Sequence, residues 1–180
     1  MGIGARYTED DIPKIDNQSL FFDANVLLYL FFTTASALHW QRVYSNIFRK
    51  LLNSGKNRLV IDSIITSEVI NRALREEHKL YIAKNGDISF KSYRNSQDGK
   101  NTLKQIYDIF DQIILPRFFI DGKIYDKKEI ETLLKVDNLD FNDKLICKLC
   151  EEKKYILITN DKDFISSNID ILSANPDLQN

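Results

Sequence analysis

Residues Leu139-Asp-Phe-Asn-Asp-Lys-Leu-Ile-Cys-Lys-Leu-Cys-Glu-Glu-Lys-Lys-Tyr-Ile-Leu-Ile-Thr-Asn-Asp-Lys-Asp-Phe164 decide how the chain folds. Phe141, Leu145, Ile146 and Leu149 recur at helical spacing, which puts Asp140 at the N-cap and Asp143 in the first turn. Tyr155-Ile-Leu-Ile-Thr159 is a short continuous apolar run rich in β-branched residues, the signature of a buried parallel strand, and it ends at Asn160-Asp161. The unit is therefore helix, tight connection, strand, with carboxylates at the helix start and the strand end. In a parallel α/β sheet both places open on one crevice, outside the carboxyl ends of the strands.

Working outward, the same grammar repeats. Leu20-Phe-Phe22 reads as a strand stopped by Asp23, followed by a helix over Ala24 to Phe32. A second helix is expected from Ser36 to Ser54, with Leu38, Val43, Ile47, Leu51 and Leu52 along one stripe and Gly55 at C′. Arg58-Leu-Val-Ile61 is the next strand, and Ser63 can cap a long helix that carries Glu68 and ends near Asn85-Gly86. Asp87 to Lys100, with its Gly, Ser, Asn and Asp, breaks the periodicity and reads as a loop. Leu103, Ile106, Ile109, Phe110 and Ile113 mark a helix stopped by Pro116. Phe118-Phe-Ile120 is a short strand, Lys127 to Val136 a small helix, and Ile169-Asp-Ile-Leu172 a final edge strand. Residues 1–19 read as a loosely held lead-in, and residues 20–180 as one domain. The alternation predicts a three-layer α/β/α fold with a central parallel sheet of four or five strands.

A chain of 180 residues, 43% hydrophobic and 28% charged, is ordinary for one soluble globular domain with a sizeable core. Its formal net charge of -1 offers no global field for nucleic acid, so a phosphate-binding surface has to be a local patch. The apolar stretch Leu20 to Phe32 is interrupted by Asp23 and Asn25 and is too short to span a bilayer. Two cysteines and no secretory pattern point to a reducing cytoplasm.

Asp23, Glu68, Asp143 and Asp161 all fall at the carboxyl side of a strand or on the helix leaving one. Carboxylates brought that close either take up protons or bind a hard cation, for which Mg²⁺ or Mn²⁺ with oxygen ligands is the natural guest. Each acid has a plainer reading too. Asp23 can simply end a strand, and Glu68 can be a solvated helix acid. Asp140 competes with Asp143, one being the cap and the other the ligand, and Asp163 competes with Asp161 in the same way, as cap of a following short turn. Asn25, Asn71 and Thr159 either steady the acids by hydrogen bonds or are satisfied turn and helix groups.

The blocks Phe21-Phe-Asp-Ala-Asn-Val-Leu-Leu28, Ser63 with Ser67-Glu-Val-Ile-Asn71, Asn142-Asp-Lys-Leu-Ile146 and Ile158-Thr-Asn-Asp-Lys-Asp-Phe164 occur in an order that resembles the PIN domain, the fold of many metal-dependent ribonucleases including VapC-type toxins. The resemblance covers roughly residues 20–172. It departs from the family's pattern at Ala24, where a hydroxyl residue is common, and in the length of the stretch from Asn85 to Lys104. It implies that Asp23 and Asp143 hold the main Mg²⁺ or Mn²⁺ ion, with Glu68 and Asp161 completing the set or orienting water, and that RNA phosphodiester bonds are hydrolysed. It also implies an antitoxin or other protein partner and a homodimer as expectations.

Six basic residues between Lys79 and Lys104 stand against only two acids, interleaved with Tyr81, Phe90 and Tyr93. Lys91 and Arg94 are thus candidates for RNA contact, with a solvated loop as the plainer alternative; Lys144 and Lys148 on the metal-side helix are further phosphate candidates. Cys147 and Cys150 form a C-x-x-C in mid-helix with no second pair, which reads as packed, reduced thiols and not zinc ligands. His39 and His78 are isolated. Among rival functions, a haloacid-dehalogenase phosphatase wants an Asp where Asn25 stands, and a receiver domain lacks its acidic pair. A catalytically inactive PIN-like scaffold that binds RNA or protein is the rival from another class.

Overall fold

In a computed structural model, which describes residues 3–32 and 37–179, the sheet is built around Ser19–Phe22 (β2). β2 runs parallel to Arg58–Ile61 (β3) on one side and Ile156–Ile158 (β5) on the other, with Phe21 opposite both Val60 and Leu157. Leu20, Val60, Ile61, Leu157 and Ile158 have no measurable exposure, as strands covered on both faces require. Phe119–Ile120 (β4) pairs outside β3, and Ile171–Leu172 (β6) pairs outside β5. Arg6–Tyr7 (β1) adds outside β6, giving the order β1-β6-β5-β2-β3-β4 with every pairing parallel.

The sixth strand comes from the expected lead-in. Its hold is physical: the Arg6 guanidinium donates to the carbonyls of Ile169 at 2.7 Å, Ser167 at 2.9 Å and Ile165 at 3.2 Å, while Ile12 and Ile15 are buried. β6 is consequently an interior strand, not the sheet edge that the sequence reading makes of it.

Ala24–Phe31 (α1) and Leu38–Ser54 (α2) follow β2. The expected start of α2 at Ser36 lies outside the described residues. Gly55 ends α2 at φ 60, the left-handed C′ position. The stripe of α2 is Tyr44, Ile47 and Leu51; Leu38 and Leu52, expected on it, are 64% and 43% exposed. Ser63–Asn85 (α3) leaves β3, and its cap is Asp62, which accepts from Ile65 N at 2.8 Å, rather than Ser63.

The stretch expected to be a loop is a helical elbow of Phe90–Asn95 (α4) and Gln97–Ile109 (α5). Ser96 is both the C-cap of α4 and the N-cap of α5, and its Oγ accepts from Gly99 N at 3.1 Å. α5 then widens into a π-helical turn over Phe110–Ile114 before Pro116. Lys127–Leu133 (α6) opens with a capping box between Asp126 and Glu129, and stops short of the expected Val136. Phe141–Lys153 (α7) leads into β5.

Candidate active site

Asp23 ends β2, and its φ and ψ of -74 and 153 turn the chain into α1. Its carboxylate Oδ2 accepts two short hydrogen bonds, from Asn25 Nδ2 at 2.6 Å and from Thr159 Oγ1 at 2.6 Å. Thr159 stands at the end of β5 and is fully buried; its hydroxyl oxygen also accepts from Asp161 N at 2.9 Å. Asn160 N donates to Asn25 Oδ1 at 3.2 Å. Thus Asn25 and Thr159 lace the ends of two adjacent strands together around one acid, the steadying role weighed for them from sequence. Asn71 is not part of this lacing: its Nδ2 donates to Ser67 O at 2.8 Å along α3.

The other acids act on Asp23 and on one another through their charges. Burial first, offset by the Thr159 bond and reinforced by the charges of Glu68 and Asp161, pushes the Asp23 carboxyl up to about 6. Burial, then the charges of Asp140, Asp23 and Asp161, pushes Asp143 up to about 7. Asp140 is the N-cap of α7, its Oδ1 accepting from Asp143 N at 2.9 Å. Asp161 likewise caps the 3-10 turn Lys162–Ser166, with Oδ1 accepting from Asp163 N at 3.0 Å. The cap of that turn is therefore Asp161 and not Asp163, which is exposed and contributes only its backbone. Glu68 is ion-paired one helical turn on, with Arg72 at 3.1 Å, and shares an open groove of ≈ 400 Å³ with Asn71 and Asn142.

Among the described residues no three His, Cys, Asp or Glu side chains close to metal-ligating distances of one another. The donor set is nevertheless all oxygen, with two carboxyls raised by burial and by neighbouring carboxylates, and this chemistry fits a hard divalent cation such as Mg²⁺ or Mn²⁺.

The basic candidates are arranged otherwise than expected. Lys144 is only 10% exposed: its ammonium bonds the carbonyls of Leu133 and Lys135 and pairs with Asp137 at 3.1 Å, pinning the connection from α6 to α7. Lys148 pairs with Glu152 at 2.9 Å. Both cations are engaged by their own surroundings and are not aimed at the acids. Lys91 and Arg94 are exposed on α4, but the aromatics beside them pack inward: Tyr93 is buried against His78 and Tyr81, and Phe90 lies under the Arg75 guanidinium. Cys147 is half-buried and Cys150 buried, both free thiols raised mainly by burial.

Tyr44 is a supporting residue that sequence reasoning missed. Its buried hydroxyl lies 2.8 Å from Thr159 O and 3.1 Å from Asn160 Oδ1, bracing the strand end that holds Asp23. The signal was available, since Tyr44, Ile47 and Leu51 are spaced by three and four residues. The network makes a sharp expectation for Thr159→Val: it removes the donor to Asp23 and the acceptor for Asp161 N while preserving volume. Urea unfolding is expected to find the variant about 1–3 kcal/mol less stable with the far-ultraviolet spectrum unchanged, because the buried partners are left unpaired; an unaltered midpoint would sink the bracing role.

Residues 20–168 match the sequence profile of the PIN domain. The chain belongs to the PIN domain family. PIN domains are generally nucleases and generally use divalent metal ions. Two solved structures are similar to this PIN domain, and the first shares its fold. VapBC2 from Rickettsia felis, bound to a DNA fragment from their promoter, is 17% identical with a TM-score of 0.50, over 88% of this chain and 100% of that one. PAE2754 from Pyrobaculum aerophilum is 16% identical with a TM-score of 0.45, over 87% of this chain and 84% of that one. No curated protein sequence matches this PIN domain significantly. Among the described residues no helix is long and apolar enough to cross a membrane.

Proposed function

We propose that this PIN domain hydrolyses RNA phosphodiester bonds, with Asp23, Glu68, Asp143 and Asp161 as the acids that hold Mg²⁺ or Mn²⁺. The observation that carries the reading is the pair Asp23 and Asp143: both are raised first by burial and then by other carboxylates, so the pocket is negative and partly desolvated. A divalent ion bound there would offset phosphate charge and acidify a coordinated water. Asn25 and Thr159 hold the Asp23 carboxylate in one orientation, and the Asp140 cap fixes the first turn that carries Asp143. Glu68, on the groove beside them, and Asp161, with one oxygen anchored on Asp163 N, are the groups that complete the set or orient the attacking water.

The fold shared with VapBC2 supports a further step, that this nuclease is the toxin of a toxin–antitoxin pair in the cytoplasm. An antitoxin protein would then be its partner, and a homodimer its working form. The direct test is cleavage of RNA with Mg²⁺ or Mn²⁺. Cleavage is expected to stop on addition of EDTA and to fall at least about a hundredfold in Asp23→Asn and in Asp143→Asn, since several kcal/mol of transition-state charge stabilisation are lost. Activity surviving both substitutions sinks the proposal. Metal binding without turnover on any RNA supports the inactive scaffold instead.

A further inference from the structure

A second groove, of ≈ 560 Å³, lies beside the one that holds Glu68 and Asn142, and the two share Ser63, Ser67 and Asn71 on α3. Through these shared residues the surface continues from Glu68 and Asn142, the neighbour of Asp143, across α3 to Tyr107 on α5. Its far end changes character. Ile70, Tyr107, Leu115 and Ile120 make an apolar floor, with Tyr107 51% exposed, Leu115 45% and Ile120 54%, while hydroxyls and an amide make the rim.

Resting on the nuclease reading above, we propose that this far end is a nucleobase subsite, which takes a base of single-stranded RNA next to the bond being cut. A phosphate would need cations, whereas the lining is uncharged, and an apolar floor with a hydroxyl and amide rim matches the flat face and polar edge of a base. Continuity with the groove that holds Glu68 selects its occupant. The π-helical turn contributes: Leu115 N bonds to Phe110 O at 2.8 Å, five residues back, so the extra residue rotates Leu115 relative to a continuing α-helix. Asn71 is held by its Nδ2 bond to Ser67 O, which leaves its amide oxygen as the end that meets a base N–H. A base stacked and paired within a duplex presents neither face nor edge to such a groove, which sets the substrate class.

The test is equilibrium binding, at fixed ionic strength and in EDTA so that nothing is cut, of a short fluorescein-labelled single-stranded RNA and of its duplex. Tyr107→Ala is expected to weaken single-strand binding by about fivefold to a hundredfold, the range for loss of one aromatic stack. Tyr107→Phe is expected to stay within about twofold of wild type, and neither change should alter duplex binding. Equal single-strand affinity for wild type and Tyr107→Ala overturns the subsite, as does an absence of single-strand binding. Dissociation of a dimer by Tyr107→Ala in sedimentation would make the groove a contact between copies and overturn it too. The two proposals fail separately: Tyr107-dependent binding without cleavage refutes the nuclease alone, and cleavage without Tyr107 dependence refutes the subsite alone.

Discussion

Asp23→Asn is expected to abolish RNA cleavage and, without divalent cations, to make the protein more stable at pH 8. The Asp23 carboxyl stands at about 6 in the folded chain against an ordinary value near 3.8. Between those values the folded state holds a proton that the unfolded chain has released, so stability falls as pH rises from about 4 and the loss is complete above about 6. Asp143, at about 7, adds a loss of the same sign and stretches the window upward. For Asp23 the shift corresponds to about 3 kcal/mol at pH 8, an upper figure because relaxation and water entry reduce it.

Asparagine keeps the geometry. Both side-chain hydrogen bonds to Asp23 converge on Oδ2, and an amide oxygen in that place still accepts from Asn25 Nδ2 and Thr159 Oγ1, more weakly than a carboxylate, while the Ala24 N–H that also bonds the carboxylate offsets part of the gain. Urea unfolding with EDTA is therefore expected to find Asp23→Asn about 1–3 kcal/mol more stable than wild type at pH 8, with the gap closing towards pH 4. Mn²⁺ should raise the midpoint of wild type far more than that of the variant, because binding to the folded state adds stability by mass action. A variant less stable than wild type at pH 8 without cation would show that Asp23 is not a destabilising buried charge.

Gly99→Ala is expected to cost stability on the scale of a core defect, although the position is at a helix start and the added group is one methyl. A Cβ there would sit 2.1 Å from the Tyr93 carbonyl oxygen and 2.8 Å from its carbon, and both are backbone atoms that no rotamer change moves. Relief requires α4 and α5 to part, which strips Tyr93 of its cover and breaks the elbow at Ser96. Overpacking of this kind costs about 1–3 kcal/mol, and the fixed backbone puts Gly99 at the upper end. Urea or thermal unfolding checks it; a loss under about 0.5 kcal/mol would mean the elbow is loose.

The same glycine explains what the sequence concealed. In Ser-Gln-Asp-Gly, Gly reads as a breaker, yet it is there because another backbone crosses close by, a tertiary fact with no local trace. β1 was hidden for a related reason: Arg6-Tyr7 has no strand pattern, and its pairing depends on the Arg6 guanidinium finding carbonyls more than 150 residues away. Lys144 looked like a surface cation because α-helical spacing cannot tell that the preceding connection folds over it. By contrast β2, β5 and α7 were legible, since an unbroken apolar run and a 3.6-residue stripe are local signatures. That Asp23 and Asp161 stand within electrostatic reach of each other follows from topology, because the ends of the adjacent parallel strands β2 and β5 share one rim.

The lacing of Asp23 to Thr159 joins residues 136 positions apart, and no pairing in the sheet is a hairpin. A chain emerging from the ribosome at about 5–20 residues per second therefore spends on the order of ten seconds with its first acid made and its partner strand not yet translated. On the nuclease reading proposed above, late closure is a safeguard: no working centre exists until the strand that leads to Thr159 has been made.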